Sequence, residues 1–242
     1  MNEQGNKTGE IASLAGALVF PSVLTVAYFV TFAGHPASPP IYGFGKLVQF
    51  GFPAVWVFLI AQERFQWAPL KGDARTRNGI LLGAAFGVFV AGAMIALALL
   101  WLKPIGFLDE PTVAIQRKIR DMHLVPLPAY ISASVFYTVF HSLLEEYYWR
   151  WFVFKRLKPF TGVVGANLIS SLGFMAHHVI VLAIYFGWTS PATWIFSVCV
   201  ATGGAVWAWL YERSGSIYAP WISHGLIDCG IFSLGYLLGG PG

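Results

Sequence analysis

Apolar residues in this chain come in long unbroken runs, with neither the two-residue alternation of a half-buried strand nor the single apolar stripe of a soluble helix. Runs at 11–33, 41–61 and 79–102, one from 127 past 148, and others at 163–187, 192–210 and 217–238 are separated by polar breaks. Each is close to the roughly 20 residues that cross the hydrocarbon core as a helix. The pattern predicts an all-α polytopic membrane protein of about seven transmembrane helices. Pro21 and Pro53 fall inside runs and are expected to kink them, which neighbouring helices accommodate. The first run is flanked by Glu3, Lys7 and Glu10 and is longer than a signal-peptide core, so it reads as a retained helix. Gly79, Gly83 and Gly87 recur every four residues, a small-residue stripe along which a second helix can approach closely. Before the fourth run, the segment 111–124 mixes Val113, Ile115, Ile119 and Met122 with Arg117, Lys118 and Arg120. That mixture suits a helix lying in the membrane interface, with a solvated connector as the other reading.

Composition moves the picture in the same direction. Hydrophobic residues make up 57% and charged residues 11% of 242, against about 25% charged in a soluble domain. The chain is expected to be a single membrane domain over 1–242, with accessory spans at 11–102 and a catalytic core at 127–238. The net charge of +4 does not indicate a nucleic-acid partner, because the basic residues sit in short loops between apolar runs. With the amino terminus inside, Lys7, Arg64, Lys71, Arg75, Arg77, Arg150, Lys155, Arg156, Lys158 and Arg213 face the cytoplasm and only Lys103, Arg117, Lys118 and Arg120 face out. That asymmetry favours a cytoplasmic amino terminus. The short chain without organellar targeting features points to the multi-pass cell membrane of a prokaryote. Cys199 and Cys229 lie in apolar runs without CxxC spacing, so neither a disulfide framework nor a zinc knuckle is expected.

Charge in hydrocarbon is costly, so the ionisable residues inside the runs carry the functional signal. The acids well within them are Glu145, Glu146 and Asp228, accompanied by His141, His177, His178 and His224. On a helix, His141 and Glu145 share a face, and Glu146 and Arg150 share a neighbouring one in the favourable order for an ion pair. Phe174 and His178 are again four apart, as are His224 and Asp228. Taken singly, His141 and His177 read as helix–helix hydrogen-bonding residues and Glu146 with Arg150 as a structural pair. Glu145, His178, His224 and Asp228 together, on three helices, read as a water-activating site.

These positions also resemble a known family. The run Glu145-Glu146-Tyr147-Tyr148-Trp149-Arg150 resembles the EExxxR motif of the CPBP intramembrane proteases, which include type II CAAX prenyl endopeptidases and bacteriocin-processing or immunity proteins. Phe174 to His178 resembles the family's FxxxH, and His224 to Asp228 its HxxxN or HxxxD. The resemblance covers about residues 127–238. It implies an intramembrane endopeptidase in which Glu145 activates water, His178, His224 and Asp228 complete the centre, and Glu146 and Arg150 support it. Many relatives carry Asn where this chain has Asp228.

Neither a GxSxG nucleophile elbow nor an HExxH zinc helix is present in the sequence, which leaves glutamate-activated water, without a cofactor, as the expected mechanism. A zinc ion held by Glu145, His178 and His224 is the alternative. The expected partners are the lipid bilayer and a membrane-associated or lipidated peptide or protein substrate, and the oligomeric state is unread. Tyr147, Trp149, Trp151 and Phe152 read as interfacial anchors in preference to the walls of a lipid groove. The rivals from other classes are a proton-coupled transporter and a catalytically inactive immunity or binding protein of the same fold.

Overall fold

The computed structural model describes residues 3–64 and 72–240. Lys71, one of the expected cytoplasmic cations, lies outside the described residues. Among those residues every regular element is helical. The α-helices are α1 (Glu3–Val26), α2 (Ser38–Val55), α3 (Ala74–Leu97), α4 (Asp109–Asp121), α5 (Leu127–Val135), α6 (Ser142–Glu146), α7 (Lys155–Phe186), α8 (Pro191–Ser214) and α9 (Tyr218–Gly239). Short π-helical stretches, whose hydrogen bonds reach five residues on instead of four, extend α1, α2 and α3 and occupy Phe136–His141 and Tyr147–Phe154. All-helical structure is what lipid demands, because a helix satisfies its backbone polar groups within itself. The helices run on through Pro21 and Pro53.

Among the described residues, six helical stretches are long and apolar enough to cross a membrane: 7–31, 38–60, 74–102, 127–186, 191–214 and 218–239. The fourth and fifth expected spans fall together in 127–186, so six stretches stand where seven were expected. Straight, its 60 residues would extend about 90 Å, three times the hydrocarbon thickness. The path is interrupted at Gly162, with φ 68° and ψ 178°, a conformation open almost only to glycine. The outside of these helices is hydrophobic, with Leu47 74% and Leu100 79% exposed, whereas Glu146 and Ser142 are fully buried. Such an inversion of the soluble pattern fits a surface solvated by lipid.

Two compact units make up the chain. The first consists of residues 3–64 and 147–209. Its centre is aromatic: Tyr148, Trp149, Phe152 and Phe154 are buried, Trp149 meets Phe174 edge-on at 5.8 Å, and the Tyr148 hydroxyl donates to the Ala17 carbonyl at 2.7 Å. The interfacial-anchor expectation is therefore corrected for Trp149 and Phe152, whose large rings make more dispersion contacts in a packed core than at a headgroup layer. In the same unit Arg156 pairs with Glu10 and, at 2.9 Å, with Glu63, while the Trp56 indole donates to Glu10 at 3.1 Å.

The second unit consists of residues 72–146 and 210–240. Its spine is α9, packed along α3. The glycine stripe read from the sequence makes this possible. A Cβ on Gly87 would sit 2.7 Å from the Ser223 carbonyl oxygen, and one on Gly83 would overlap the Ala219 carbonyl. The helix expected before the fourth span is α4, which buries Pro111 and Ile119 and brings Gln116 beside Gly239 of α9. Asp109 and Glu110 in its first turn and Lys118 and Arg120 in its last both complement the helix dipole.

Candidate active site

Within the second unit, α6 and α9 meet with their polar residues facing each other. The approach depends on a glycine beside the key histidine: a Cβ on Gly225 would lie 2.6 Å from the Thr138 carbonyl oxygen. Thr138 and Val139 belong to the stretch Phe136–His141, where the backbone ladder changes step from i+5 to i+4 at the start of α6. Carbonyls at such a junction need outside donors. The Ser142 hydroxyl donates to Thr138 at 2.6 Å, and the Trp221 indole of α9 donates to Val139 at 2.9 Å. Gly225 and Trp221 thus fix the height and rotation of α9 against α6, and with them the position of His224.

The His224 ring bridges two neighbouring carboxylates. Its Nδ1 is 2.7 Å from Glu146 Oε1, and its Nε2 is 3.7 Å from Glu145 Oε2. Asp228, one turn further along α9, brings Oδ1 to 3.7 Å from the same Nε2. His141 lies on the face of Glu145, as the spacing predicts, with Nε2 3.8 Å from Oε1. Glu145, Glu146 and His224 are buried, at 4%, 0% and 4% exposure, and Asp228 is partly open. Three carboxyl groups around one imidazole is an expensive arrangement in a low-dielectric interior, where like charges repel and each ion loses its hydration. A separation of 3.7 Å is too long for a direct hydrogen bond but close enough for strong electrostatic interaction.

The remaining sequence candidates belong to the first unit. His178 places Nδ1 2.9 Å from the Phe174 carbonyl oxygen, four residues back, so the FxxxH spacing has a direct structural expression. With that carbonyl accepting, Nδ1 carries the proton and Nε2 offers a lone pair. His177 is buried, stacked parallel to Trp149 at 5.9 Å and against His178 at 4.2 Å. Arg150 donates to the Gly204 carbonyl at 3.0 Å and lies 5.2 Å from the ring centres of both Phe174 and Trp207, a desolvated cation–π site. Arg150 sits in the π-helical stretch Tyr147–Phe154, directly after α6.

Helical spacing therefore identified the pairs within each helix. The contact between Glu146 and His224, 78 residues apart, had no local signature. Gly225, immediately after His224, was a signal available in the sequence and unused. Among the described residues, no group of three or more His, Cys, Asp or Glu side chains is gathered as a metal ion requires.

Comparison with known proteins adds one result. Residues 127–230 match the family model described as type II CAAX prenyl endopeptidase Rce1-like. The matched segment contains Glu145, Glu146, Arg150, Phe174, His178, His224 and Asp228. No curated protein and no solved structure matches the chain.

Proposed function

From the premise that residues 127–230 form a Rce1-like domain in a multi-pass membrane protein, and hence a CAAX-type intramembrane protease, we propose that the chain hydrolyses a peptide bond of a membrane-associated or lipidated substrate with water activated by Glu145. The observation that carries this reading is the convergence of Glu145 and Asp228 on His224 Nε2, each at 3.7 Å. Glu145 takes a proton from that water while the water oxygen bonds to the scissile carbonyl carbon. The carbon–nitrogen bond then breaks, and the leaving amine takes up the proton that Glu145 accepted. His224 and Asp228 hold the water and bear on the developing oxyanion. His178 enters on its FxxxH motif. The distribution of basic residues supports a cytoplasmic amino terminus.

No step is routed through a metal ion. Zinc on Glu145, His178 and His224 remains the alternative mechanism, and metal analysis of active protein with and without chelator separates the two. The expected result is cleavage that survives chelation. The test of the reading itself is Glu145→Gln, which keeps the shape of the side chain and removes the base. Reconstituted with lipidated peptides, the variant is expected to stay folded and lose cleavage, and retained cleavage overturns the assignment.

A further inference from the structure

The first helix lies outside the segment that matches the family model, yet within its own unit α1 touches Tyr148 of the EExxxR run and the turn of α7 where FxxxH begins. We infer that α1 is a positioning element for His178: Tyr148 donates to the Ala17 carbonyl that Pro21 leaves open, and this bond holds α1 at the register where Leu18 and Trp149 close around Gly173, next to Phe174. The inference rests on the proposed hydrolysis, in which His178 takes part, and adds Tyr148 to it as a positioning residue.

In an unbroken α-helix the Ala17 carbonyl accepts from the N–H of residue 21. Residue 21 is proline, which has no N–H, and α1 continues through it. Ala17 is 2% exposed and Pro21 is fully buried, so the open carbonyl is shielded from solvent, where an acceptor without a partner is costly. The hydroxyl of Tyr148, itself 1% exposed, supplies the donor at 2.7 Å. The bond is specific in register. Carbonyls on either side of Ala17 are used within the helix, so a slip of one residue, about 1.5 Å along the axis, leaves hydroxyl and carbonyl both unpaired. The next residue of α1, Leu18, meets α7. A Cβ on Gly173 would lie 2.7 Å from Leu18 Cδ2 and 2.9 Å from Trp149 Cζ3, so the close approach of both side chains depends on glycine. Trp149 follows Tyr148 directly and meets Phe174 edge-on, and the Phe174 carbonyl oxygen lies 2.9 Å from His178 Nδ1. Two neighbouring residues of α1 thereby fix Tyr148 and Trp149, and through them the turn of α7 that carries His178.

Two substitutions and their combination, in full-length protein in lipid, test this. Tyr148→Phe removes one oxygen atom and leaves the Ala17 carbonyl open. It is expected to lower the thermal midpoint and to reduce kcat about 10- to 100-fold with KM within about threefold, as a small misplacement of a working group does. Pro21→Ala restores an N–H at residue 21, so in the double variant the carbonyl is paired again inside α1. The midpoint is then expected to return while kcat stays low, because nothing ties α1 to residue 148; a residue that only stabilised the fold would give back kcat together with the midpoint. Should Tyr148→Phe alone fail to fold, the double variant carries the test. Two readouts need no turnover. Tyr148→Phe is expected to cost stability with proline at 21 and nothing measurable with alanine there. The NMR signals of His178 in histidine-labelled protein are expected to stay displaced in the double variant. Equal stability costs in both backgrounds would overturn the pairing of the hydroxyl with the opened carbonyl. Wild-type kcat in Tyr148→Phe, recovery of kcat in the double variant, or His178 signals indifferent to residue 148 would overturn the positioning role. A protein that cleaves nothing while midpoints and His178 signals behave as expected would instead sink the hydrolytic reading and leave the hold of α1 on His178 standing.

Discussion

The two units bury charge in opposite ways. In the first, Arg156 is matched by Glu10 and Glu63, and Arg150 by a carbonyl oxygen and two aromatic faces, so each cation is met by negative or π-electron density. In the second, three carboxyl groups converge on a single histidine. A paired ion in a membrane protein holds helices together and needs no further explanation. An accumulation of like groups is destabilising on its own, and it persists where chemistry depends on it. If this contrast is sound, removing a charge from the two clusters has opposite consequences for stability and activity.

The largest expected effect is in the second unit. Loss of a general base costs about 10²- to 10⁴-fold in rate, so Glu145→Gln is expected to lower cleavage at least that far. Because it removes one of three crowded carboxyl groups, thermal unfolding in detergent should show a midpoint equal to or above wild type. A large fall in the midpoint would make Glu145 a structural acid like Glu10 and erase the difference between the units.

The converse is expected in the first unit. Glu10→Gln leaves Arg156 without its buried carboxylate partner and leaves one amide oxygen in place of two carboxylate oxygens for the guanidinium and the Trp56 indole. Breaking a largely buried pair costs about 3 kcal/mol, which denaturant or thermal unfolding would read directly, while the folded fraction keeps its turnover number. Glu63, 52% exposed at its side chain, bonds to the same guanidinium in a wetter setting. Glu63→Gln is accordingly expected to cost less than about 1 kcal/mol. Equal losses for the two variants would show that burial does not grade this cluster.

Gly225 tests whether the second cluster depends on helix placement as well as on residue type. The Cβ of Gly225→Ala would come to 2.6 Å from the Thr138 carbonyl, so α9 must move away from α6 by several tenths of an ångström. Overpacking of this kind costs about 1–3 kcal/mol. The displacement lengthens the His224–Glu146 contact, so cleavage should fall by more than the loss of folded protein explains. Ala at Gly92, where the space around the Cβ is open, is the matched control.

What the sequence made legible follows from the range of the interactions involved. Lipid forces every spanning segment to be helical, so length and hydropathy predicted the helices, and a four-residue period predicted that Gly79, Gly83 and Gly87 line a close contact and that His224 and Asp228 share a face. The count of separate spans was less legible, because Gly162 interrupts a helix inside a stretch that stays helical on both sides. Trp149 and Phe152 were misjudged for a different reason: apolar rings suit a lipid border and a protein core equally, and only packing decides between them. The contact of Glu146 with His224 was hidden because the two lie 78 residues apart on different helices, where no local spacing links them.

The smallest expected effect concerns Asp228, the last position of the segment that resembles HxxxN or HxxxD. Its Oδ1 is as far from His224 Nε2 as Glu145 is, at 3.7 Å. If its work is to hold water and face an oxyanion, an amide does both, and it removes one of the three clustered charges as well. Asp228→Asn is therefore expected to retain cleavage within about tenfold of wild type, well short of the loss expected for a general base. Its thermal midpoint should match or exceed that of the parent. A loss as deep as that of Glu145→Gln would mean that the ionised form of Asp228 is needed, and would move the base from α6 to α9.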